Sequence, residues 1–213
     1  MKITVISDTH GLHDQMDLDS FPGGDLLLHS GDCTNFGAAQ DLFSLNFWFG
    51  KLQKKYQHII LVPGNHDRCF ESNFNLAKSL MTNCTILLDE AITIDGLKFY
   101  GSPWQPRFFN WAFNVDRGVK IARKWAMIPD DTNVLITHGP PFGIGDKTSL
   151  TGDLIGCQDL SARIEKLKKL KLHACGHCHP GWGKVQVNGV WYINGSICTN
   201  AYKPTNLPIG VEL

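Results

Sequence analysis

Short apolar runs, many of them β-branched, alternate along the chain with segments of helical spacing. The runs predict strands over 2–7, 25–29, 59–62, 85–88, 91–94, 97–100, 134–137, 172–175, 185–187, 190–193 and 210–213. Apolar residues three and four apart predict helices over 39–55, 76–81, 116–126 and 160–170. Asp95-Gly96 and Asn188-Gly189 sit between paired runs and predict two-residue hairpins. Ile59-Ile60-Leu61-Val62 is apolar at every position, as a strand covered on both faces must be. The expected class is α/β, a sandwich with mixed sheets.

The polar residues fall in a pattern of their own. Five apolar strands each end in residues able to bind a metal: Ser7-Asp8-Thr9-His10, Gly31-Asp32, Gly64-Asn65-His66-Asp67, Thr137-His138-Gly139 and Gly176-His177-Cys178-His179. In α/β sheets the carboxyl edge of the strands is where sites are built. Carboxylate, amide oxygen and neutral imidazole suit hard or borderline divalent cations, and Mn, Fe or Zn fits this mixture. Asp8 and His10 lie two apart at a strand end and can reach one ion. Asp32 has two oxygens and can bridge two ions. Cations about 3.5–4 Å apart clamp both sides of an in-line displacement at phosphorus. They also acidify a bridging water, supplying hydroxide as nucleophile. His66 is then free to protonate the leaving oxygen or to hydrogen-bond the phosphoryl group.

These motifs, in this order, resemble the calcineurin-like metallophosphoesterases over residues 8–179. Gly101-Ser102-Pro103-Trp104, His138-Gly139-Pro140-Pro141, Gly181-Trp182-Gly183, Tyr192-Ile193-Asn194-Gly195-Ser196 and Pro204-Thr205-Asn206 resemble a branch of small metallophosphoesterase-domain proteins related to cyclic-nucleotide phosphodiesterases. The resemblance implies a four-layer α-β-β-α sandwich with two mixed β-sheets. It implies two divalent ions, one on Asp8, His10, Asp32 and His179 and one on Asp32, Asn65, His138 and His177, with His66 catalytic. The protein-phosphatase branch carries an acid three residues beyond its Gly-Asp motif, where this chain has Asn35, and follows Asn-His with Glu, where this chain has Asp67. A phosphodiesterase acting on a nucleotide or other small ester is therefore expected over a protein phosphatase. A non-catalytic scaffold on the same fold and a nuclease are the rival readings.

Composition narrows the picture further. A length of 213 residues suits one domain spanning 1–213. Twenty basic and twenty acidic side chains cancel, so no global field draws in nucleic acid. No run approaches the roughly 18 apolar residues of a membrane span. The stretch Met1-Lys2-Ile3-Thr4-Val5-Ile6-Ser7-Asp8 has no long secretory apolar region, and seven scattered cysteines read as reduced thiols, so the expected location is cytoplasmic. Cys175 and Cys178 are expected to pack beside the metal histidines rather than form a redox pair. His13, His29, His58 and His173 are expected to be structural or solvated, with His13 and His29 close enough to the ligand motifs to be able to support them from behind. Lysines 166, 168, 169 and 171 read as the solvated face of an amphipathic helix. Trp104, Phe108, Phe109, Trp111 and Phe113 can pack in the core or rim the site, and Arg68 and Arg107 can pair with a substrate phosphate beside Asn65 and His66. Substrate identity and oligomeric state are open.

Overall fold

The computed structural model describes residues 1–149 and 151–213. Its first sheet is built from β1 (Lys2–Ile6), β2 (Gly24–His29), β3 (Tyr56–Leu61), β4 (Thr85–Ile86) and a late strand at Ile209–Glu212. The first four run parallel in that order, and the late strand pairs antiparallel with β1. The second sheet uses β5 (Glu90–Ile94), β6 (Leu97–Ser102), β9 (Val134–Thr137), β10 (Leu172–Cys175), β11 (Gly183–Val187) and β12 (Val190–Asn194). Its order is β11-β12-β10-β9-β6-β5, with a parallel centre and an antiparallel strand at each edge. Between β6 and β9, a small parallel pair joins β7 (Gln105–Pro106) to β8 (Asn114–Val115). The late strand is β13.

Alternation along the strands explains why these sheets stack. Ile3 and Val5, Leu26 and Leu28, and Ile60 and Val62 point toward the second sheet. There they meet Phe99, Val134, Ile136, Leu172, Ala174 and Ile193. Their neighbours Ile6, Leu27, Ile59 and Leu61 point the other way, onto α1 (Ala39–Leu52), which contributes Leu42, Leu45, Trp48, Phe49 and Leu52. Tyr100 and Leu135, on the outer face of the second sheet, pack on α4 (Val119–Trp125) and α5 (Gln158–Ile164) through Ile121, Trp125, Leu160 and Ile164. Three apolar seams between four layers make the α-β-β-α sandwich, and both sheets are covered on both faces. This is why 59–62 needs no polar alternation.

Both hairpins turn as expected. Asp95 and Gly96 have φ of 48° and 77°, Asn188 and Gly189 of 50° and 83°, and two consecutive positive values match the twist of the flanking strands. Helix ends differ from the periodicity. The α1 helix stops at Leu52, short of the expected 55. The α3 helix (Phe74–Leu80) starts two residues early because Asn73 Oδ1 accepts the Leu76 N–H and caps it. A short α2 (Arg68–Ser72) precedes it, and neither this nor β7 and β8 is marked by any strong apolar period. The α5 helix ends at Ile164 rather than 170. Leu167 and Leu170 still enter the core while Lys166, Lys168 and Lys169 face solvent, so the basic stretch is amphipathic, but in the turns that follow the helix rather than on a helix face. Among the described residues no helix is long and apolar enough to cross a membrane.

The seam between the sheets carries the stability of the frame. Leu28 is fully buried there. Truncating it in Leu28→Ala is expected to lower the unfolding free energy by roughly 2–5 kcal/mol in urea titration. A loss under about 1 kcal/mol would mean that the site collapses around the missing atoms and that the seam is not close-packed.

Candidate metal centre

All five ligand-type segments leave the carboxyl ends of parallel strands: β1, β2 and β3 from one sheet, β9 and β10 from the other. The backbone knits these ends together. Ser7 N donates to Gly195 O at 2.8 Å and Ile197 N donates to Ser7 O at 2.8 Å, so the two sheets are joined at this edge. Asp8 N donates to Gly31 O, His10 N to Asp32 O and Gly176 N to His138 O. Close approach of the loops requires glycine at two positions in particular. A Cβ on Gly64 would collide with the Asp32 backbone, and one on Gly176 with Ser7 and Asp8.

Asp8, His10, Asp32 and His177 adopt left-handed backbone, with φ of 53°, 46°, 52° and 65°. Such conformations cost a non-glycine residue on the order of 1–3 kcal/mol and persist only where the surroundings over-determine them. Here the constraint is visible in hydrogen bonds. Asp8 accepts the His177 N–H at 2.9 Å and the Ser196 hydroxyl at 2.8 Å. Asp32 Oδ1 accepts the His66 N–H at 2.7 Å.

The side chains converge as two linked groups. His10 Nε2 lies 3.1 Å from His179 Nε2, and His179 Nε2 lies 3.4 Å from Asp8 Oδ1. His138 Nε2 lies 2.9 Å from Asn65 Oδ1 and 3.3 Å from Asp32 Oδ2, and His177 Nδ1 lies 2.9 Å from the same Asn65 oxygen. Asp32 Oδ2 is also 3.9 Å from His10 Nε2 and 3.9 Å from His66 Nε2, and so touches both groups. Three sets of His and Asp have ligand atoms mutually within 4.8 Å: Asp8, His10 and His179; His10, Asp32 and His66; and Asp32, His138 and His177.

The donor chemistry fits cations. Two imidazole nitrogens about 2.1 Å from one ion, at tetrahedral or octahedral angles, stand roughly 3.0–3.4 Å apart. The His10–His179 nitrogen pair falls in that range. His138 Nδ1 donates to Ser30 O at 2.9 Å and His179 Nδ1 to Thr199 O at 3.0 Å. A carbonyl only accepts, so the hydrogen sits on Nδ1 and each Nε2 is turned inward, as outer partners do for metal histidines.

Charge follows the same geometry. Burial opposes ionisation of Asp8 and Asp32, yet the neighbouring imidazoles hold both carboxyls well below the usual range. Burial pulls His10 and His177 down to about 4. For His138 burial acts downward too, but the Asp32 and Asp8 carboxylates outweigh it and push the ring up to about 9. The His179 ring is raised by Asp8 in the same way, against its burial.

Two carboxyl-edge loops are held by a residue outside this set. Asp67 is fully buried, and burial together with Asp32 raises its carboxyl. Its oxygens accept from Thr34 N at 2.9 Å, Thr34 Oγ1 at 2.8 Å, Gly64 N at 2.8 Å, Cys33 N at 3.2 Å and Cys33 Sγ at 3.2 Å. It ties the Asp32 loop to the Asn65 loop. His29 does similar work behind Asp8 and Gly31, facing Thr9 Oγ1 at 3.1 Å and accepting the Gly31 N–H. His13 is buried against Ser44, His173 against Thr137, and His58 is exposed. All seven cysteines are free, with Cys175 and Cys178 buried beside the His177 loop.

The sequence pattern did not reveal a partner for His66. The structure supplies Asn35 O, which accepts from His66 Nδ1 at 2.6 Å. Trp111 stacks on the same ring, with centroids 4.0 Å apart, and Phe36 continues the stack at 6.2 Å from Trp111. Ala112 N donates to Asn65 O and Phe113 N to Glu71, which places the Trp111 segment over the site. The aromatic cluster therefore divides. Phe113 is core and Trp104 packs while donating to Asp89. Phe108 and Trp111 face the site, and Phe109 is exposed against Phe108. Tyr202, a residue without any motif signal, lies 4.8 Å from the His10 ring and 5.4 Å from the His179 ring. Asn194 belongs to a motif noted above. Its amide donates to Gly145 O, Gly176 O and Cys178 O and so shapes the His177–His179 loop.

A cleft of about 390 Å³ opens over the cluster, lined by His10, Asp32, Asn65, His66, His177 and His179, with Phe108 and Tyr202 at its walls. Arg68 donates to Asn110 O and lies 5.0 Å over Trp111. Arg107 pairs with Asp116 at 2.6 Å and lines a neighbouring hollow that includes His177.

Fold and site together define a class: two-sheet α/β proteins that gather carboxylates, an amide and imidazoles at the joined carboxyl edges of their sheets. The calcineurin-like phosphoesterase family matches residues 1–181, and the chain belongs to that family. Among relatives, metallophosphoesterase domain-containing protein 1 of Homo sapiens is 34% identical over 235 residues, covering 100% of this chain and 71% of that protein. A UPF0046 protein of Caenorhabditis elegans is 36% identical over 228 residues, covering 98% of this chain and 79% of its own length. In three dimensions the chain is similar to phosphopantetheinyl hydrolase (PptH) from Mycobacterium tuberculosis, with TM-score 0.64, 14% identity, and 99% of this chain and 95% of that one covered. At that identity the likeness concerns the fold.

Two outcomes follow from this geometry. Asp67→Ala leaves several buried N–H groups without an acceptor and is expected to destabilise the fold by about 3 kcal/mol or more, read by chemical unfolding. An effect within about 0.5 kcal/mol of zero would remove its tethering role. A divalent cation held by His138 would have to displace the proton that Asp32 and Asp8 help its ring keep up to about pH 9. Cation affinity of the chelator-stripped protein, measured by calorimetry, is therefore expected to rise from pH 6 to about 9 with proton release. An affinity flat across that window would contradict the Asp32–His138 coupling.

Proposed function

We propose that the protein is a metal-dependent phosphodiesterase acting on small phosphate esters, nucleotides among them. The observation that carries the reading is Asp32, whose Oδ2 stands 3.9 Å from His10 Nε2 and 3.3 Å from His138 Nε2. One carboxylate thereby belongs to both groups of ligand-type residues. We assign one divalent ion to Asp8, His10, Asp32 and His179, and a second to Asp32, Asn65, His138 and His177. Mn, Fe and Zn suit this mixture of oxygen and nitrogen, with Mn the ion to test first. Bound there, such a pair of ions supplies charge neutralisation at phosphorus and a water acidic enough to ionise near neutral pH.

The chain's own groups do the rest. Asp32 gives Oδ1 to the His66 N–H and keeps Oδ2 toward the histidines, which fixes its orientation. His66 donates from Nδ1 to Asn35 O, so its Nε2 is the nitrogen turned to the cleft. Protonated at Nε2, it delivers a proton to the leaving oxygen, and Trp111 stacked on its face holds the ring in that pose. Asn65 and His66 face the substrate, with Arg68 and Arg107 at the margins, outside the cleft lining, as cations for phosphate oxygens that the substrate carries away from the reacting centre. A diester is preferred over a monoester because no lysine or arginine is among the described residues lining the cleft. A monoester dianion brings one more negative charge to be met. Seven free thiols accord with a reducing compartment, and the cytoplasm is the proposed location.

The test is hydrolysis of bis-p-nitrophenyl phosphate, p-nitrophenyl phosphate and a set of cyclic nucleotides, with metal content measured on the same sample. Activity on diesters above monoesters is expected. In His66→Ala the metal content should hold while kcat falls by about 10²–10⁴-fold. Normal turnover in that variant removes its role, and no hydrolysis of any ester with Mn, Fe, Zn, Co, Ni or Mg returns the chain to a binding scaffold.

A further inference from the structure

Beside the metal cleft lies a second hollow of about 230 Å³ that shares Phe108, Ile155 and His177 with it. It adds two guanidinium groups, Arg107 and Arg117. Both are oriented, and neither has its charge fully cancelled. Arg117 donates from Nη1 to Gly156 O at 2.8 Å and from Nη2 to Ile155 O at 2.7 Å. Neutral carbonyls fix the direction of the fork without offsetting its charge. Arg107 spends only Nε on Asp116, at 2.6 Å, and the other Asp116 oxygen is taken by Lys120 at 2.7 Å. Two cations, Arg107 and Lys120, thus share one carboxylate, and Arg117 has only carbonyls as partners. Among the neighbouring acids, Asp159 accepts the Gly118 N–H, and Asp146 accepts the Gly143 and Gly156 N–H groups at 3.0 Å. The remaining wall is Pro106, Gly139, Pro140 and Leu154, which carry no side-chain charge.

We infer that this hollow is a subsite for a second phosphate group, carried by the substrate on the far side of His177 from the ester that is cleaved. Guanidinium forks match phosphate oxygens in pairs, which a lone ammonium does not. The inference rests on the phosphoesterase reading of the neighbouring cleft and names the class of substrate for it: a small phosphodiester bearing an additional terminal phosphate. Arg117 also clamps the 155–156 backbone, so an occupied subsite and a settled cleft wall depend on the same side chain.

The test compares p-nitrophenyl propyl phosphate with its analogue bearing a phosphate at the free end of the propyl chain. The wild-type, metal-loaded protein is expected to favour the phosphorylated ester by about tenfold or more in kcat/KM, chiefly through KM. Arg117→Gln and Arg107→Gln should each shrink that ratio toward one. Because Arg117 also braces backbone, Arg107→Gln is the variant that reads the subsite if Arg117→Gln folds poorly. A ratio of one in the wild type, or a ratio unchanged in both variants, overturns the inference. Calorimetry on His66→Ala, with both esters as probes, reads the same preference as a ratio of Kd values. A Kd preference abolished by Arg107→Gln, with no hydrolysis by the wild type, would leave the subsite standing and sink the phosphoesterase reading instead. Hydrolysis of both esters at equal kcat/KM would do the reverse.

Discussion

A carboxylate buried at the meeting of two sheets governs this molecule. Asp32 is 2% exposed and ionised against its own burial, which is tolerable only with positive charge close by. His138 supplies some of that charge, from 3.3 Å, and in doing so retains a proton that a cation would displace. Asp8 repeats the arrangement on the other side with His179. The site therefore carries more negative charge than neutral imidazoles can answer, and a divalent cation would answer it without relying on protons. The His66 and His177 N–H groups, the Ser196 hydroxyl and the Asp67 tether help to keep those two carboxylates where they are.

The sandwich makes this possible because parallel strands place all their carboxyl ends on one edge. With two sheets stacked, five such ends converge from opposite sides, and the Ser7 bonds to Gly195 and Ile197 join the edges directly. The chain then turns sharply enough that four of the ligand-type residues take left-handed backbone. That strain is held by local hydrogen bonds and by the stiffness of the three apolar seams behind it. A less tightly packed frame would let the loops relax, and the imidazole nitrogens would separate.

Around the charged centre the walls have distinct characters. His66 is braced on one side by a backbone carbonyl and on its face by Trp111 and Phe36. Tyr202 covers the His10 and His179 rings, and Phe108 stands beside His177. Fixed cations stand at the margin, at Arg68, Arg107 and Arg117. The cluster itself is built of carboxylates, an amide and histidines, while these arginines lie around it.

Much of this was legible in the sequence for a local reason. A strand covered on both faces must be apolar throughout, and a ligand at its carboxyl end must follow it immediately. Ile59–Val62 leading into Asn65 and His66 therefore announces itself in a handful of residues. The Asp95-Gly96 and Asn188-Gly189 turns are equally local, since positive φ is a property of the residues themselves. Helix ends were read less well, because burial of Leu167 and Leu170 continues the apolar period after the helix has stopped. The partner of His66 could not be read at all. Asn35 contributes a backbone carbonyl, which every residue possesses, and only the path of the loop brings it within 2.6 Å. The same holds for Tyr202 over His10, 192 residues away in sequence, and for Arg117 opening into a hollow shared with His177. Residue type and short-range spacing determined the strands, the turns and the identity of the ligand-type groups. Which of them touch, and what stands around them, was decided by packing between layers, because contacts across a sandwich join residues that no local pattern relates.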